Sequence, residues 1–211
     1  YTNMAFLEIM RDKGLKASQH DFAQVFLKSN FMLWHANGQA RQNLLAGISP
    51  GLSGHPYYNP HADDIDFQIE CDFIGIISPG LPKVALEIAN KVGHLMNYGD
   101  GYYAGAFLTV LYTYAYFESD RVKLIQMALE GIPSESNYAK IIKDILNWYA
   151  EDSENWRVTW QKLEDKWNND LCPWAKSDRL PLQKDTVSSK FNIQGHFNGC
   201  LLYTSPSPRD P

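Results

Sequence analysis

The segment Tyr102 to Phe117, YYAGAFLTVLYTYAYF, is apolar or aromatic nearly all round. A helix with that pattern has no solvent face, so other elements must surround it. It is too short, and too rich in Thr and Tyr, to read as a membrane span. The pattern predicts a central buried helix. Ala104, Gly105 and Ala106 are small enough to let a neighbouring helix or a ligand approach closely.

Helical signals dominate the rest of the chain. Met4, Phe6, Leu7, Ile9 and Met10 make Tyr1 to Arg11 an amphipathic helix rather than a basic-then-apolar signal peptide. Ser18 and Asp21 read as the N-cap and first-turn acid of a helix carrying Phe22, Val25 and Phe26. A third helix is expected over Phe31 to Leu45. Within it, His35, Asn37 and Arg41 form a small polar set with no assigned role, Arg41 reading as half of an ion pair. Gly47 to Pro60, broken by repeated Gly and Pro, is expected to be a loop. Pro82 opens a helix through Leu95. Three more helices are expected over Arg121 to Glu130, Ser136 to Tyr149 and Ser153 to Trp167. Trp148, Trp156, Trp160 and Trp167 fall at helical spacings there, which reads as packing rather than carbohydrate stacking.

The fold class is therefore all-α. Ile65 to Phe73 resists, because Ile65, Phe67, Ile69, Cys71 and Phe73 alternate with polar residues, a strand period. No second alternating segment exists to pair with it, so helix is the expectation.

Composition narrows function mainly by exclusion. A formal charge of −5 over 211 residues, with no basic run, argues against nucleic-acid binding. Cys71, Cys172 and Cys200 are too scattered for a disulfide framework or a zinc site. No nucleophile elbow, phosphate loop, dinucleotide fingerprint or zinc-ligand pair occurs. The last twelve residues, CLLYTSPSPRDP, carry three prolines in the final six and resemble a translated sequencing-adapter read-through. Residues 200–211 are thus expected to be a non-native tail, and 1–199 part of one domain.

Two polar islands interrupt the apolar pattern. The first holds His61, Asp63, Asp64, Asp66, Glu70 and Asp72. On one helix, Asp63, Asp66 and Glu70 would share a face. Such carboxylates can meet a divalent ion, position a water or accept bonds from sugar hydroxyls, or simply favour a helix N-terminus. The second island is HLMNYGDGYYAG, from His94 to Gly105. A Gly-rich loop before a helix can seat a phosphate or a sugar edge, or be an ordinary interhelical turn with His94 satisfied in the core.

At these islands the chain resembles bacterial ADP-ribosylglycohydrolase family proteins. PHADDIDFQIECDFIGIISPG (Pro60 to Gly80) and KVGHLMNYGDGYYAGAF (Lys91 to Phe107) carry the likeness, with Ser78-Pro79-Gly80, His94 and Gly99-Asp100-Gly101 as its parts. The stretch Ile145 to Trp167 resembles the corresponding downstream stretch of such proteins. The resemblance implies an orthogonal all-α bundle, incomplete at both ends here. It also implies hydrolysis of the glycosidic bond of ADP-ribosylated protein, or a related ADP-ribosyl compound, by water activated on two magnesium ions (Mg2+). It places His94, Asn97, Gly99, Asp100 and Tyr102 beside the bound ADP-ribose. Asp63, Asp64, Asp66 and Glu70 become candidates for orienting metal-bound water or the ribose.

The family's Thr-Asp-Asp and Asp-x-Asp metal motifs are both absent from this sequence, and Asp63-Asp64, preceded by His61-Ala62, does not replace the first. No metal ligand is therefore assigned, and the chain by itself is expected to be inactive. A non-catalytic module that binds ADP-ribose or a nucleotide is the alternative reading.

Overall fold

The apolar segment forms helix α7, Gly99–Tyr114, in a computed structural model of the protein that describes residues 1–168. Around it pack α4 (Asp66–Glu70), α5 (Asp72–Ile76), α6 (Pro82–Gly93), α8 (Arg121–Leu129) and α9 (Asn137–Glu151). The described residues contain no β-strand, so Ile65 to Phe73 is helical as expected. Burial does not follow its apolar alternation, since Ile69 is exposed while Asp66, Gln68 and Glu70 are buried. Two one-turn helices meet at Cys71, which lets Phe67, Cys71, Phe73 and Ile74 all reach the core.

The small residues of α7 admit a neighbouring helix rather than a ligand. A Cβ added at Gly105 would lie 2.3 Å from the Phe67 ring, so α4 sits directly against α7. Two turns further along α7, Gly75 of α5 approaches Tyr112, where a Cβ would lie 2.4 Å from the Tyr112 Cβ. The helix ends three residues earlier than expected. Tyr116 and Phe117 are exposed, and the Thr113 carbonyl instead accepts a bond from the Gly80 N–H at 2.8 Å.

Helices α1 (Thr2–Lys13), α2 (Gln19–Lys28) and α3 (His35–Leu45) close the opposite side. Phe6 is their common centre, with Phe22, Phe26 and Phe73 rings all within 6.0 Å of it. The Ser18–Asp21 capping box forms as expected. Two expectations need correction. Helix α3 starts at His35 and not Phe31, because Trp34 is extended in the N-cap position. Arg41 makes no ion pair among the described residues; it donates to the carbonyls of Phe26, Ser29 and Phe31, satisfying the open end of α2.

The connection from Gly47 to Pro60 is held by buried amides. Asn43 donates to the carbonyls of Ser53 and Tyr58, and Asn59 to those of Ala36, Ser53 and Met96. Past α9, α10 covers only Trp156–Leu163 and ends in a π-turn over Glu164–Asn168. Its start is delayed because Asp152 accepts from the Glu154 and Asn155 N–H groups. Trp148 and Trp167 pack against the core, as expected for packing residues. Cys172, Cys200 and the tail from 200 to 211 lie outside the described residues.

Candidate functional site

The two polar islands meet at Asn97, in the corner between α6 and α7. Its side chain is fully buried and its hydrogen-bonding capacity is turned inward. Nδ2 donates to the carbonyls of Ala62 (3.0 Å) and Asp64 (2.9 Å), and more weakly to His61 (3.4 Å). Oδ1 accepts from the Phe67 N–H at 2.8 Å. Asn97 therefore shapes the first island and does not itself face a ligand, which corrects its place among the substrate-binding candidates.

This bracket also explains why the acids do not line one helix face. With the carbonyls of 62 and 64 tied to Asn97, residues 61–63 form a turn, and α4 begins only at Asp66. Asp63 and Asp64 then part from Asp66 and Glu70, which stay one turn apart on α4 and both meet Asn37. Asp63 reaches α7, where its Oδ1 accepts from the Gly101 N–H at 2.9 Å and caps the helix from outside. Gly101 is obligatory at this contact, since a Cβ there would sit 2.6 Å from the Ala62 carbonyl oxygen. Asp64 turns toward His61 and His35. Asp66 is buried and accepts from the Asn37 N–H at 3.2 Å.

Glu70 lies deepest of the four. Its Oε1 accepts from Asn37 Nδ2 at 2.7 Å, while Oε2 and Asn37 Oδ1 are buried without a well-formed hydrogen bond. Burial, reinforced by the neighbouring Asp66 charge, pushes the Glu70 carboxyl up to about 8. Burial likewise raises Asp66 to about 6. Burial thus favours the protonated form of Glu70 in the fold, and its side chain is turned inward to Asn37.

Of the second island, Gly99 is exposed and adopts φ 57°, the left-handed region, as the chain turns into α7. Asp100 Oδ1 accepts from the Tyr138 N–H at 2.9 Å, so it joins Ser136 in capping α9. Tyr102 is sandwiched between Phe67 (centroids 5.6 Å, planes 3° apart) and His94 (4.2 Å, 22°). Tyr98 stands edge-on to His94 at 4.3 Å. Burial raises the Tyr102 hydroxyl to about 12 and lowers His94, which holds one ring nitrogen against the Asn90 carbonyl at 3.0 Å. His94 and Tyr98 remain half-buried at the surface of this column.

Two magnesium ions do not fit the residues present. Hard divalent cations of this size want several oxygen ligands in octahedral arrangement. Among the described residues no carboxylate trio converges, and each island acid already has another partner. One group of three potential ligands does converge: His35, His61 and Asp64. Sequence reasoning assigns no role to His35 or His61. The one local signal is His61-x-x-Asp64 within a single turn, and the second histidine lies on a different helix.

Comparison with known proteins finds no matching family model, no matching curated protein and no matching solved structure.

Proposed function

We propose that this chain carries the substrate wall of a helical ADP-ribosyl hydrolase, and that the described residues bind an ADP-ribosyl group without cleaving it. One observation supports this above others: Asn97 ties together the two segments that carry the family resemblance. Half-exposed His94 and Tyr98 then offer aromatic faces with polar atoms at their edges, a combination suited to a nucleoside ring. The non-catalytic part of the proposal rests on the absence, among the described residues, of three carboxylates that converge into an oxygen cage for the magnesium pair.

Calorimetric titration with ADP-ribose in the presence of a chelator tests the reading. Saturable binding is expected, weakened by about tenfold or more in His94→Ala. Magnesium is expected to produce no release of ADP-ribose from an ADP-ribosylated protein. Absence of binding to folded protein overturns the proposal, and rapid magnesium-dependent release overturns its non-catalytic part.

A second reading, a purely structural helical domain, is favoured by the Asp100 bond to the Tyr138 N–H, which uses that carboxylate to cap α9. On that reading Asp100→Asn and His94→Ala alter thermal stability alone.

A further inference from the structure

We propose that His35, His61 and Asp64 form a site for a single divalent transition-metal ion of the zinc type, open to solvent on one side. The ligand atoms are close to the required spacing already. Metal–ligand bonds of about 2.0–2.1 Å in tetrahedral geometry put neighbouring ligand atoms about 3.3 Å apart. Here Asp64 Oδ2 lies 2.9 Å from His61 Nδ1 and 3.5 Å from His35 Nδ1. All three potential ligand atoms lie within 4.8 Å of one another. The two rings stand nearly perpendicular, 84° apart, so they approach a common point without stacking.

The chain is built to hold these groups in place. His61 and Asp64 share a turn closed by the Asp64 N–H to the His61 carbonyl at 2.9 Å. That turn is pinned at one end by Asn59, whose Oδ1 accepts from the His61 N–H at 3.0 Å. Asn97 pins the other end through the Asp64 carbonyl. His35 arrives from the first turn of α3 with φ 44°, the only non-glycine residue with positive φ among the described residues. A β-carbon-bearing residue held there costs energy, and such strain accumulates where the fold must aim a side chain.

Ligand chemistry selects the ion. Two imidazoles and one carboxylate suit zinc, cobalt or nickel, whereas magnesium prefers oxygen alone. The histidine side chains are 49% and 42% exposed and Asp64 only 13%, so solvent can complete the coordination. Three protein ligands with a fourth position open to water is the pattern of a reactive rather than a purely structural centre. This site does not rest on the ADP-ribosyl reading, and metal alone is the probe.

Titration of the metal-free protein with cobalt(II) and zinc(II) chloride tests it. Expected are one equivalent of bound ion, visible cobalt absorption of four- or five-coordinate type displaced by zinc, and no competition from excess magnesium. His61→Ala and Asp64→Asn should each weaken binding by about a hundredfold or more, while His20→Ala with His55→Ala leaves it unchanged. Should a variant fail to fold, cobalt broadening of imidazole proton resonances in the unaltered protein gives the answer, with His35 and His61 expected to broaden first. Magnesium competing on equal terms, unaltered affinity in folded His61→Ala, or broadening centred on His20, His55 or His94 overturns the proposal.

Discussion

The Asn97 side-chain amide donates to the Asp64 carbonyl at 2.9 Å, so a residue of the Gly-rich corner fixes the backbone of the acidic turn. The same amide takes the Ala62 carbonyl, and its oxygen takes the Phe67 N–H. Replacing Asn97 by Ala strands the Asp64 carbonyl and the Phe67 N–H, while the Ala62 carbonyl keeps its bond from the Tyr98 N–H at 2.9 Å. The expected loss is about 2–5 kcal/mol, readable as a lower urea midpoint at unchanged slope. A cost within experimental error would show that water replaces the amide and that the corner is not the bracket described.

Glu70 makes stability depend on pH in an unusual direction. Its ordinary value is 4.5 and its folded value about 8, because burial and the Asp66 charge disfavour ionisation. Between those values the folded chain keeps a proton that the unfolded chain has released. Stability from this group is therefore full below about pH 4.5, falls as pH rises toward about 8, and is level above. Asp66, raised from 3.8 to about 6, acts with the same sign. Glu70→Gln should remove the Glu70 part of the slope and stabilise the protein at pH 8 by on the order of a few kcal/mol. Its amide can also donate to the unpartnered Asn37 Oδ1. Melting curves across this window in both proteins decide it, and parallel slopes would refute it.

His94 acts in the opposite sense. Burial against Tyr102 and Tyr98 holds its folded value below the ordinary 6.5. Its contribution is present above about pH 6.5 and is lost as pH falls, because the unfolded chain takes up the proton first. His94→Phe should keep the aromatic stack and abolish this acid-side loss. A His94 resonance titrating at or above its ordinary value would contradict the assignment.

Gly105→Ala puts a methyl group 2.3 Å from the Phe67 ring. Phe67 must then leave its stack on Tyr102, and a cost of about 1–3 kcal/mol is expected from chemical denaturation. Tyr102 fluorescence or its ring resonances should shift in the same variant. Full stability with unchanged spectra would mean that α4 slides along α7 without cost.

The sequence determined the all-helical class of the described residues and the burial of α7, because a segment apolar on every side leaves no alternative to enclosure. It also determined the Ser18–Asp21 cap and the Pro82 start, since both are local backbone requirements met within one turn. The break at Cys71 was not legible, because the alternation from Ile65 to Phe73 does not match burial: Ile69 is exposed and Asp66, Gln68 and Glu70 are buried. Only the tertiary structure decided the sites. Asp63, Asp66 and Glu70 share helical spacing, yet Asp63 parts from the other two because Asn97, from a distant corner, holds the turn at residues 61–63 out of the helix. His35 meets His61 and Asp64 only after α3 is laid against that turn. Hydrogen bonds and ligand sets join residues remote in sequence, so local periodicity carries no trace of them until the chain has folded.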